Sequence, residues 1–474
     1  MYQQIALGGA DQNYNSRRSR SEAINCYIEA NKDGNFTRVR RAPGLKTFAS
    51  VGSGPIRGLY SLKEFIYVAS RDELYRVDEL GAATLLGNIG GTTAKVSINA
   101  NGTDDNQLII ISEGNGYIYD DAGGFQAITD PDFSADVYVA SLNQIFWLNR
   151  PDSNVFIGSD TADGLNYSAT RLASAEASPD PLKAIAATKT NLWLFGSKTI
   201  EYWQRDPTDT TVPVRPVQGA AIDRGIAAQD SLAQWKDNLF WLANDLTVWQ
   251  IDGSEARKIS DINLEYAISG EGFGEYTGYA NPELAQGFFI DHPVHKFYVL
   301  TFPVAEVTWV YDVSTGLWHK RESKGISRWR GKESVLNFNK VIVGDWRLGT
   351  LWEFDDATFT EAGEAIPVTI VTPAISDDSA ALFISMFELN MEVGSDFAPT
   401  YTPKIQLKYS KDGGVTYKSK KDISIGEPGD RNIRVVSRSF GMVKRGFEMT
   451  FKIIVTEPIS FVVYYPTLYV EKGV

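Results

Sequence analysis

Short apolar runs alternate with polar turns along much of this chain, and residues 191–206, NLWLFGSKTIEYWQRD, show the unit clearly. An apolar run, Leu192–Phe195, is followed by a polar turn, Gly196–Lys198, and an alternating run, Thr199–Trp203. A continuous apolar run is typical of a strand covered on both faces, and alternation is typical of a strand with one buried face. The segment therefore predicts a β-hairpin.

The same hairpin recurs along the chain, each time with an aspartate near its end. These aspartates are Asp78, Asp120, Asp160, Asp206, Asp252, Asp312 and Asp355. Successive aspartates are mostly 40 to 46 residues apart, and a period of about 40–50 residues marks propeller blades of four strands each. The spacing predicts a β-propeller of about seven blades over residues 51–362, with six blades as the alternative. A series of unrelated hairpins in a sandwich is the competing interpretation.

One interval of 60 residues interrupts this period between Asp252 and Asp312. Residues 261–282 within it are rich in glycine and polar residues, which predicts an inserted loop. Tryptophans occupy equivalent or neighbouring positions in the hairpins; they are Trp193, Trp203, Trp241, Trp249, Trp309 and Trp352. Aromatic side chains repeated at the blade period predict packing between blades rather than stacking on a ligand.

The two ends of the chain differ from this central region. Residues 363–474 read as a hinge followed by several strands, which predicts an all-β C-terminal domain, a small sandwich or jelly roll. Residues 1–50 are polar and irregular and are expected to form an N-terminal arm. Its basic side chains are Arg17, Arg18, Arg20, Arg38, Arg40 and Arg41. They suggest docking to an acidic partner or subunit, with a solvated arm as the alternative.

Composition narrows the possible functions. The 474 residues carry a net charge of −13, which disfavours tight binding of duplex DNA through a basic face. An acidic surface is equally compatible with a conduit along which DNA slides, and the sign of the charge does not decide between the two. The single cysteine, Cys26, excludes an intrachain disulfide and fits a reducing cytoplasm. The first residues lack the pattern of a signal peptide, and no apolar run approaches the roughly 20 residues of a membrane-spanning helix.

Catalytic and metal-binding motifs are not evident in the sequence. His292 and His295 have H-x-x-H spacing, but on a strand they would point to opposite faces, and His319 lies far from them along the chain. Neither a nucleophile elbow nor a phosphate-binding loop is found. We therefore expect no catalytic residue, metal site or cofactor, although a glycosidase that uses two of the many carboxylates stays open.

The stretch YSKDGGVTY (Tyr409–Tyr417) has the form S-x-D-x-G-x-x-aromatic, known as an Asp-box. The residues that match are Ser410, Asp412, Gly414 and Tyr417. An aspartate can accept hydrogen bonds from turn amides, and glycine permits positive φ. The stretch is therefore interpreted as a structural turn.

Several stretches together resemble the tail hub, or nozzle, proteins of short-tailed bacteriophages, also called tail accessory or packaged-DNA-stabilisation proteins. The similar stretches are SEAINCYIEA (Ser21–Ala30), RRAPGLKTFASVGSGPIRGLY (Arg40–Tyr60), FGSKTIEYW (Phe195–Trp203) and the terminal segment Phe440–Glu471. Pro43-Gly44 and Arg57-Gly58 are typical of that family's opening. Because the stretches occur in the family's order and spacing, the resemblance extends over nearly the whole chain.

The resemblance implies a structural virion protein without enzymatic activity. Such proteins form a homohexameric ring below the portal and its adaptor ring, and DNA passes through the ring without sequence-specific binding. They retain the packaged DNA, close the head with a needle or plug, and anchor tailspikes or fibres. The implied location is the virion tail, after assembly in the host cytoplasm.

Two other functions are compatible with a propeller. The Asp-box form and the repeat favour a sialidase-like glycan hydrolase or lectin as the runner-up. A cytoplasmic propeller scaffold is the third possibility.

Overall fold

The computed structural model describes residues 2–5, 7, 21–30, 37–102, 107–178, 180–270, 277–394, 402–427, 429–430 and 432–473. Their secondary structure consists almost entirely of strands. The strands of the first part are β1 (Tyr2–Gln4), β2 (Glu22–Ile24), β3 (Cys26–Ala30), β4 (Thr37–Arg41), β5 (Gly44–Ser50), β6 (Ile56–Leu62), β7 (Phe65–Ser70), β8 (Glu73–Val77), β9 (Ala83–Asn88), β10 (Val96–Ala100), β11 (Leu108–Ser112), β12 (Asn115–Asp120) and β13 (Gly124–Ala127). The next are β14 (Val139–Leu142), β15 (Ile145–Asn149), β16 (Val155–Asp160), β17 (Asp163–Ser174), β18 (Leu182–Ala187), β19 (Asn191–Gly196), β20 (Ile200–Arg205), β21 (Val214–Pro216), β22 (Ala233–Trp235), β23 (Asn238–Leu242), β24 (Val248–Asp252), β25 (Glu255–Lys258), β26 (Gln286–Asp291) and β27 (Lys296–Phe302). The last are β28 (Val307–Asp312), β29 (Leu317–Arg321), β30 (Gly331–Asn337), β31 (Lys340–Asp345), β32 (Thr350–Asp355), β33 (Thr360–Glu361), β34 (Glu364–Ala365), β35 (Val368–Val371), β36 (Leu382–Met391), β37 (Lys404–Ser410), β38 (Lys418–Ser419), β39 (Ile423–Ser424), β40 (Val435–Val443), β41 (Thr450–Val455) and β42 (Val462–Lys472).

Helical structure is confined to short segments. The helix α1 (Ile262–Ser269) lies in the segment expected to be an inserted loop, and the side chain of Asp261 caps it by accepting hydrogen bonds from the amides of Asn263 and Leu264. Gly270, at φ 72°, ends the helix in the left-handed conformation that glycine adopts without strain. Two 3₁₀ turns are Gln229–Ser231 and Pro282–Leu284.

The chain divides into two compact units. The propeller unit comprises Thr47–Ala305 and Arg330–Glu353, and the sandwich unit comprises Met1–Lys46, Glu306–Trp329 and Phe354–Val474. The domain division expected from the sequence, into residues 1–50, 51–362 and 363–474, stays a prediction. The two compact units divide the chain at other positions. In the structure, β2, β3 and β4 of the expected arm pair with strands of the sandwich unit.

The propeller unit contains five complete four-stranded antiparallel sheets, each formed by strands consecutive in sequence. They are β6–β9, β10–β13, β14–β17, β18–β21 and β22–β25. The first strands lie beside one another: β6 contacts β10, β10 contacts β14, β14 contacts β18, β22 contacts β26, β26 contacts β30, and β30 contacts β6. Sheets arranged radially around their first strands are the propeller architecture. The number of blades stays a prediction, because only these five sheets are complete within the unit.

The recurring aspartates start the turn after the third strand of a sheet. Asp78 follows β8, and its side chain accepts hydrogen bonds from the amides of Leu80 (3.0 Å) and Ala82 (2.9 Å). Asp120 and Asp206 accept in the same way from the amides two residues further on, each at 3.0 Å. An aspartate that bonds its own backbone two residues on stabilises a turn, so the repeat in the sequence reflects a repeated turn.

Aromatic rings pack between neighbouring sheets of the propeller unit. Phe156 of β16 meets Trp203 of β20 edge to face, with ring centroids 4.9 Å apart, and Phe195 of β19 meets Trp241 of β23 at 5.7 Å. Trp241 is completely buried. The predicted packing of aromatics between blades is confirmed for these residues.

The sandwich unit consists of two sheets with an apolar core between them. One sheet has the order β3-β4-β42-β36-β40, with β1 also paired to β42. The other runs β28-β29-β2-β35-β41-β37-β38 within this unit, and β39 pairs with β37. Phe387 of the first sheet contacts Phe451 of the second with ring centroids 4.6 Å apart, so the two sheets pack face to face.

Candidate functional site

One of the two basic clusters near the N-terminus lies among the described residues, and the other does not. Arg17, Arg18 and Arg20 lie outside the described residues. Arg38 and Arg40 lie on β4 and both pair with Glu29 of β3, the Arg40 guanidinium at 3.4 Å. Both arginine side chains keep more than a third of their surface exposed. They remain candidates for docking, with part of their charge balanced by Glu29.

Arg41 is built into the interior of the sandwich unit. Its guanidinium donates to the backbone carbonyls of Glu457 and Ile459, each at 2.7 Å, and to that of Ile366. Burial lowers the pKa of Arg41 to about 10. Because these bonds tie β4 to distant segments of the chain, Arg41 holds the fold together and its guanidinium is not on the surface.

The Asp-box stretch forms a hydrogen-bonded turn after β37. The Ser410 hydroxyl accepts from the amide of Gly414 at 2.8 Å, and the Asp412 carboxylate accepts from the amides of Val415 (3.1 Å) and Thr416 (2.9 Å). Hydrogen bonds from the side chains of Ser410 and then Thr416 lower the pKa of Asp412 to about 2. Gly414 has φ 92°, and the Tyr417 hydroxyl lies 3.4 Å from the Thr450 hydroxyl. The side chains of Ser410 and Asp412 are thus used by the turn itself, and the Tyr417 hydroxyl contacts β41.

Beside this turn lies a group of lysines that sequence reasoning did not single out. The Lys411 ammonium donates to the carbonyl of Met442 at 2.8 Å, and the Lys420 ammonium donates to those of Arg438 and Ser439 at 2.9 and 2.8 Å. Burial, together with repulsion from Lys418 and Lys420, lowers the pKa of Lys411. The signal was present in the sequence, because residues 404–421 contain six lysines and one aspartate.

Charged side chains also converge where the first strands of the propeller unit meet. The Lys95 ammonium lies 3.3 Å from the Glu333 carboxylate and 5.3 Å from the ring centre of Tyr138. The Tyr138 hydroxyl donates to the carbonyl of Gln229 at 2.7 Å. Burial raises the pKa of Glu333, and the ammonium groups of Lys95 and Lys332 oppose that shift. Because the members come from different sheets, the cluster links the sheets near the centre of the propeller.

A pocket of about 470 Å³ opens between the first two sheets of the propeller unit. Its lining residues are Leu62, Lys63, Glu64, Phe65, Tyr67, Tyr119, Asp120 and Asp121. The rings of Tyr67 and Tyr119 lie 5.8 Å apart in its wall, and the Asp121 carboxylate pairs with Arg76 at 3.3 Å. The pocket thus combines aromatic walls with an acidic rim.

Two of the three histidines lie close together in one turn. His292 and His295 lie in the turn between β26 and β27 rather than on a strand, and their rings are nearly parallel with centroids 6.3 Å apart. Among the residues that the structure describes, no group of three His, Cys, Asp or Glu side chains could hold a metal ion. The described helices include none with the length and apolar character required to cross a bilayer.

Comparison with known families assigns both parts of the chain. Residues 24–359 match the family described as "Bacteriophage P22 Gp10, beta-propeller", and residues 367–469 match the family described as "Bacteriophage P22 Gp10, beta-sandwich". The chain belongs to the bacteriophage P22 Gp10 family. This family comprises tail accessory, DNA-stabilising proteins of short-tailed phages, which are components of the virion tail. The family predicted from the sequence is confirmed, as is the fold class of a propeller followed by a sandwich.

Comparisons beyond the Gp10 family add little. No match was found among curated proteins. Three solved structures with similar folds are BamB from Moraxella catarrhalis (12% identity, 75% of this chain and 98% of that chain, TM-score 0.37), selenomethionine-substituted virginiamycin B lyase from Staphylococcus aureus (9%, 65% and 98%, 0.44) and the Pan2 WD40 domain from Neurospora crassa (9%, 66% and 96%, 0.41). Similarities this weak carry no information about function.

The Arg57-Gly58 pair that suggested the Gp10 family has a structural role in the propeller unit. Arg57 is fully buried, and its guanidinium donates to the carbonyls of Ala94 (2.6 Å) and Gly90 (2.7 Å) and to the Ser112 hydroxyl (3.0 Å). A Cβ on Gly58 would lie 2.3 Å from the carbonyl oxygen of Val96, so only glycine permits this approach of β6 to β10. The pair therefore fixes the first sheet against the second.

Proposed function

We propose that this Gp10-family protein forms the hub, or nozzle, ring of a short-tailed phage below the portal and its adaptor ring. In this role, a homohexamer extends the DNA channel, retains the packaged DNA together with a needle or plug, and anchors tailspikes or fibres. The observation that carries the proposal is the match of both the propeller and the sandwich to the Gp10 family. Assembly takes place in the host cytoplasm before the virion is released.

The distribution of charge supports the proposed channel. Residues 51–362 contain 42 Asp and Glu against 25 Lys and Arg, so the negative charge of the chain is concentrated in the region of the propeller. Acidic walls make few contacts with phosphates, which would let DNA slide rather than bind. A ring whose bore is strongly basic would contradict this part of the proposal.

Electron microscopy of the purified chain mixed with its adaptor ring tests the proposal. The expected result is a sixfold ring stacked on the adaptor. The absence of such a ring under every assembly condition would refute the function proposed here. The alternative of a propeller-type glycan hydrolase or lectin is not favoured, because the chain belongs to a family of tail proteins.

A further inference from the structure

One end of the sandwich unit presents basic and apolar side chains together. We call this the end surface and define it by Lys411, Val415, Lys418, Lys420, Met442 and Phe447. Two hydrogen bonds join its parts: the Lys411 ammonium donates to the carbonyl of Met442, and the amide of Gly413 donates to the carbonyl of Glu448 at 3.1 Å. The turn after β37 therefore lies against the turn between β40 and β41.

The apolar members of the end surface are exposed to an unusual degree. Val415 is 68% exposed, Phe447 51% and Met442 43%, and Phe383, directly opposite Met442 on the neighbouring strand, is 44% exposed. Single exposed apolar residues are common on protein surfaces, but a group of them rimmed by charges marks a site of protein association. Duplex DNA would satisfy the lysines and leave these side chains in water, so the end surface fits a protein better than a nucleic acid.

The lysines of the end surface have no paired carboxylate among the described residues. Lys411, Lys418 and Lys420 form no ion pair there, and the ammonium groups of Lys411 and Lys420 are held by backbone carbonyls. Lys420 also lies 4.7 Å from the ring centre of Phe440. Three cations without a paired carboxylate favour an acidic partner.

The chain itself supplies a complementary surface in the propeller unit. The pocket between the first two sheets has apolar and aromatic walls, Leu62 and Phe65 among them. On its rim the carboxylates of Glu64, Asp120 and Asp121 outnumber the ammonium group of Lys63, although Asp121 also pairs with Arg76 at 3.3 Å. The Asp121 side chain is 75% exposed. Apolar side chains that enter a pocket while opposite charges meet around it are the usual core and rim of a protein interface.

We propose that the end surface of one copy docks on this acidic-rimmed pocket of a second copy, with Val415 and Phe447 as the apolar anchors. The contact is heterologous, since two different surfaces meet, and a heterologous contact generates a ring when its rotation closes. The inference rests on the proposed function in that it assigns the subunit contact of the proposed ring.

Cross-linking between copies tests the contact directly. A Val415→Cys chain is mixed with an Asp121→Cys chain and treated with a short bis-maleimide. The native Cys26 is buried, and burial raises its thiol pKa to about 12, so it does not react under these conditions. A mixed dimer is expected, and it is not expected when Val294→Cys, a valine of the same 68% exposure, replaces Val415→Cys. The inference would be overturned if no mixed dimer formed, or if Val294→Cys gave as much mixed dimer as Val415→Cys.

A second experiment measures the strength of association. The double variant Val415→Glu with Phe447→Glu is compared with Val294→Glu plus Leu348→Glu, whose native side chains are also 68% and 51% exposed. We expect self-association in sedimentation velocity to weaken by about tenfold or more in the first variant and to be unchanged in the control. Circular dichroism and the unfolding midpoint confirm that both variants fold.

The possible outcomes separate this inference from the proposed function. A sixfold ring with neither the cross-link nor the weakened association would leave the hub proposal standing and overturn the inference. The cross-link without any ring would support the contact and refute the ring. Loss of duplex DNA binding in the first variant, with unchanged self-association, would identify a DNA surface and overturn the inference.

Discussion

At the residue scale, the most regular feature of the chain is an aspartate that ends a hairpin. Asp78, Asp120 and Asp206 each accept a hydrogen bond from the amide two residues further on, at the start of the turn to the fourth strand. The carboxylate replaces water as the partner of amides that the turn would leave without one. The spacing of these aspartates could be read from the sequence, and their partners required the structure.

Removing one of these carboxylates tests the role of the turn. We expect Asp78→Ala to lower the free energy of unfolding by about 1 kcal/mol, because the amides of Leu80 and Ala82 lose their acceptor. Asp78→Asn keeps an acceptor oxygen and should cost less than half as much. Urea titration of the three proteins measures the difference. An alanine variant as stable as the native protein would show that the turn does not depend on the carboxylate.

At the scale of elements, the pattern of apolar and polar residues predicted hairpins of the propeller unit, in which each strand pairs with its neighbour in sequence. The hairpin predicted at residues 191–206 is β19 and β20. Strands of residues 1–50 were missed, and some of them have remote partners: Tyr2 of β1 pairs with Tyr469 of β42. Of the described strands in this segment, only β3 and β4 pair locally, with each other. No periodicity within a short polar segment can reveal a partner more than 400 residues away.

The tryptophans provide a test at this scale. We expect Trp241→Ala to lower the free energy of unfolding by about 3–5 kcal/mol, because the fully buried ring packs on Phe195 of the neighbouring sheet. Trp249, which pairs with Trp241 across β23 and β24, is only half-buried. Trp249→Ala should therefore cost clearly less. Equal losses in differential scanning calorimetry would contradict the assignment of Trp241 to packing between sheets.

At the scale of the whole molecule, the sequence indicated the family, the propeller and the sandwich, while docking through the N-terminal basic residues stays a prediction. Arg41 looked like part of a docking cluster and is buried among backbone carbonyls. Lys411 and Lys420 were not predicted to belong to an interaction surface. The apolar residues Met442 and Phe447 lie beside them only in the folded chain. A surface formed by turns that are separate in the sequence could not be predicted, because only the fold shows which turns are adjacent.

The acidic balance of residues 51–362 leads to a prediction about DNA. We expect the purified chain to leave duplex DNA unbound at about 0.15 M salt, because few phosphate contacts are available to release counterions. Fluorescence anisotropy with a labelled duplex measures this, with a basic DNA-binding protein as the positive control. Tight binding that weakens steeply with added salt would contradict a channel through which DNA slides.

The lysines that bind carbonyls of β40 affect how separate copies of the chain meet. β40 is the last strand of its sheet, and a bare edge strand invites another chain to add to it and begin a fibre. Ammonium groups of Lys411 and Lys420 already occupy the carbonyls of Arg438, Ser439 and Met442 along this strand. Positive charges at this edge therefore disfavour the addition of a second copy strand to strand. Association is thereby left to side-chain surfaces, which can stop at a closed number of subunits.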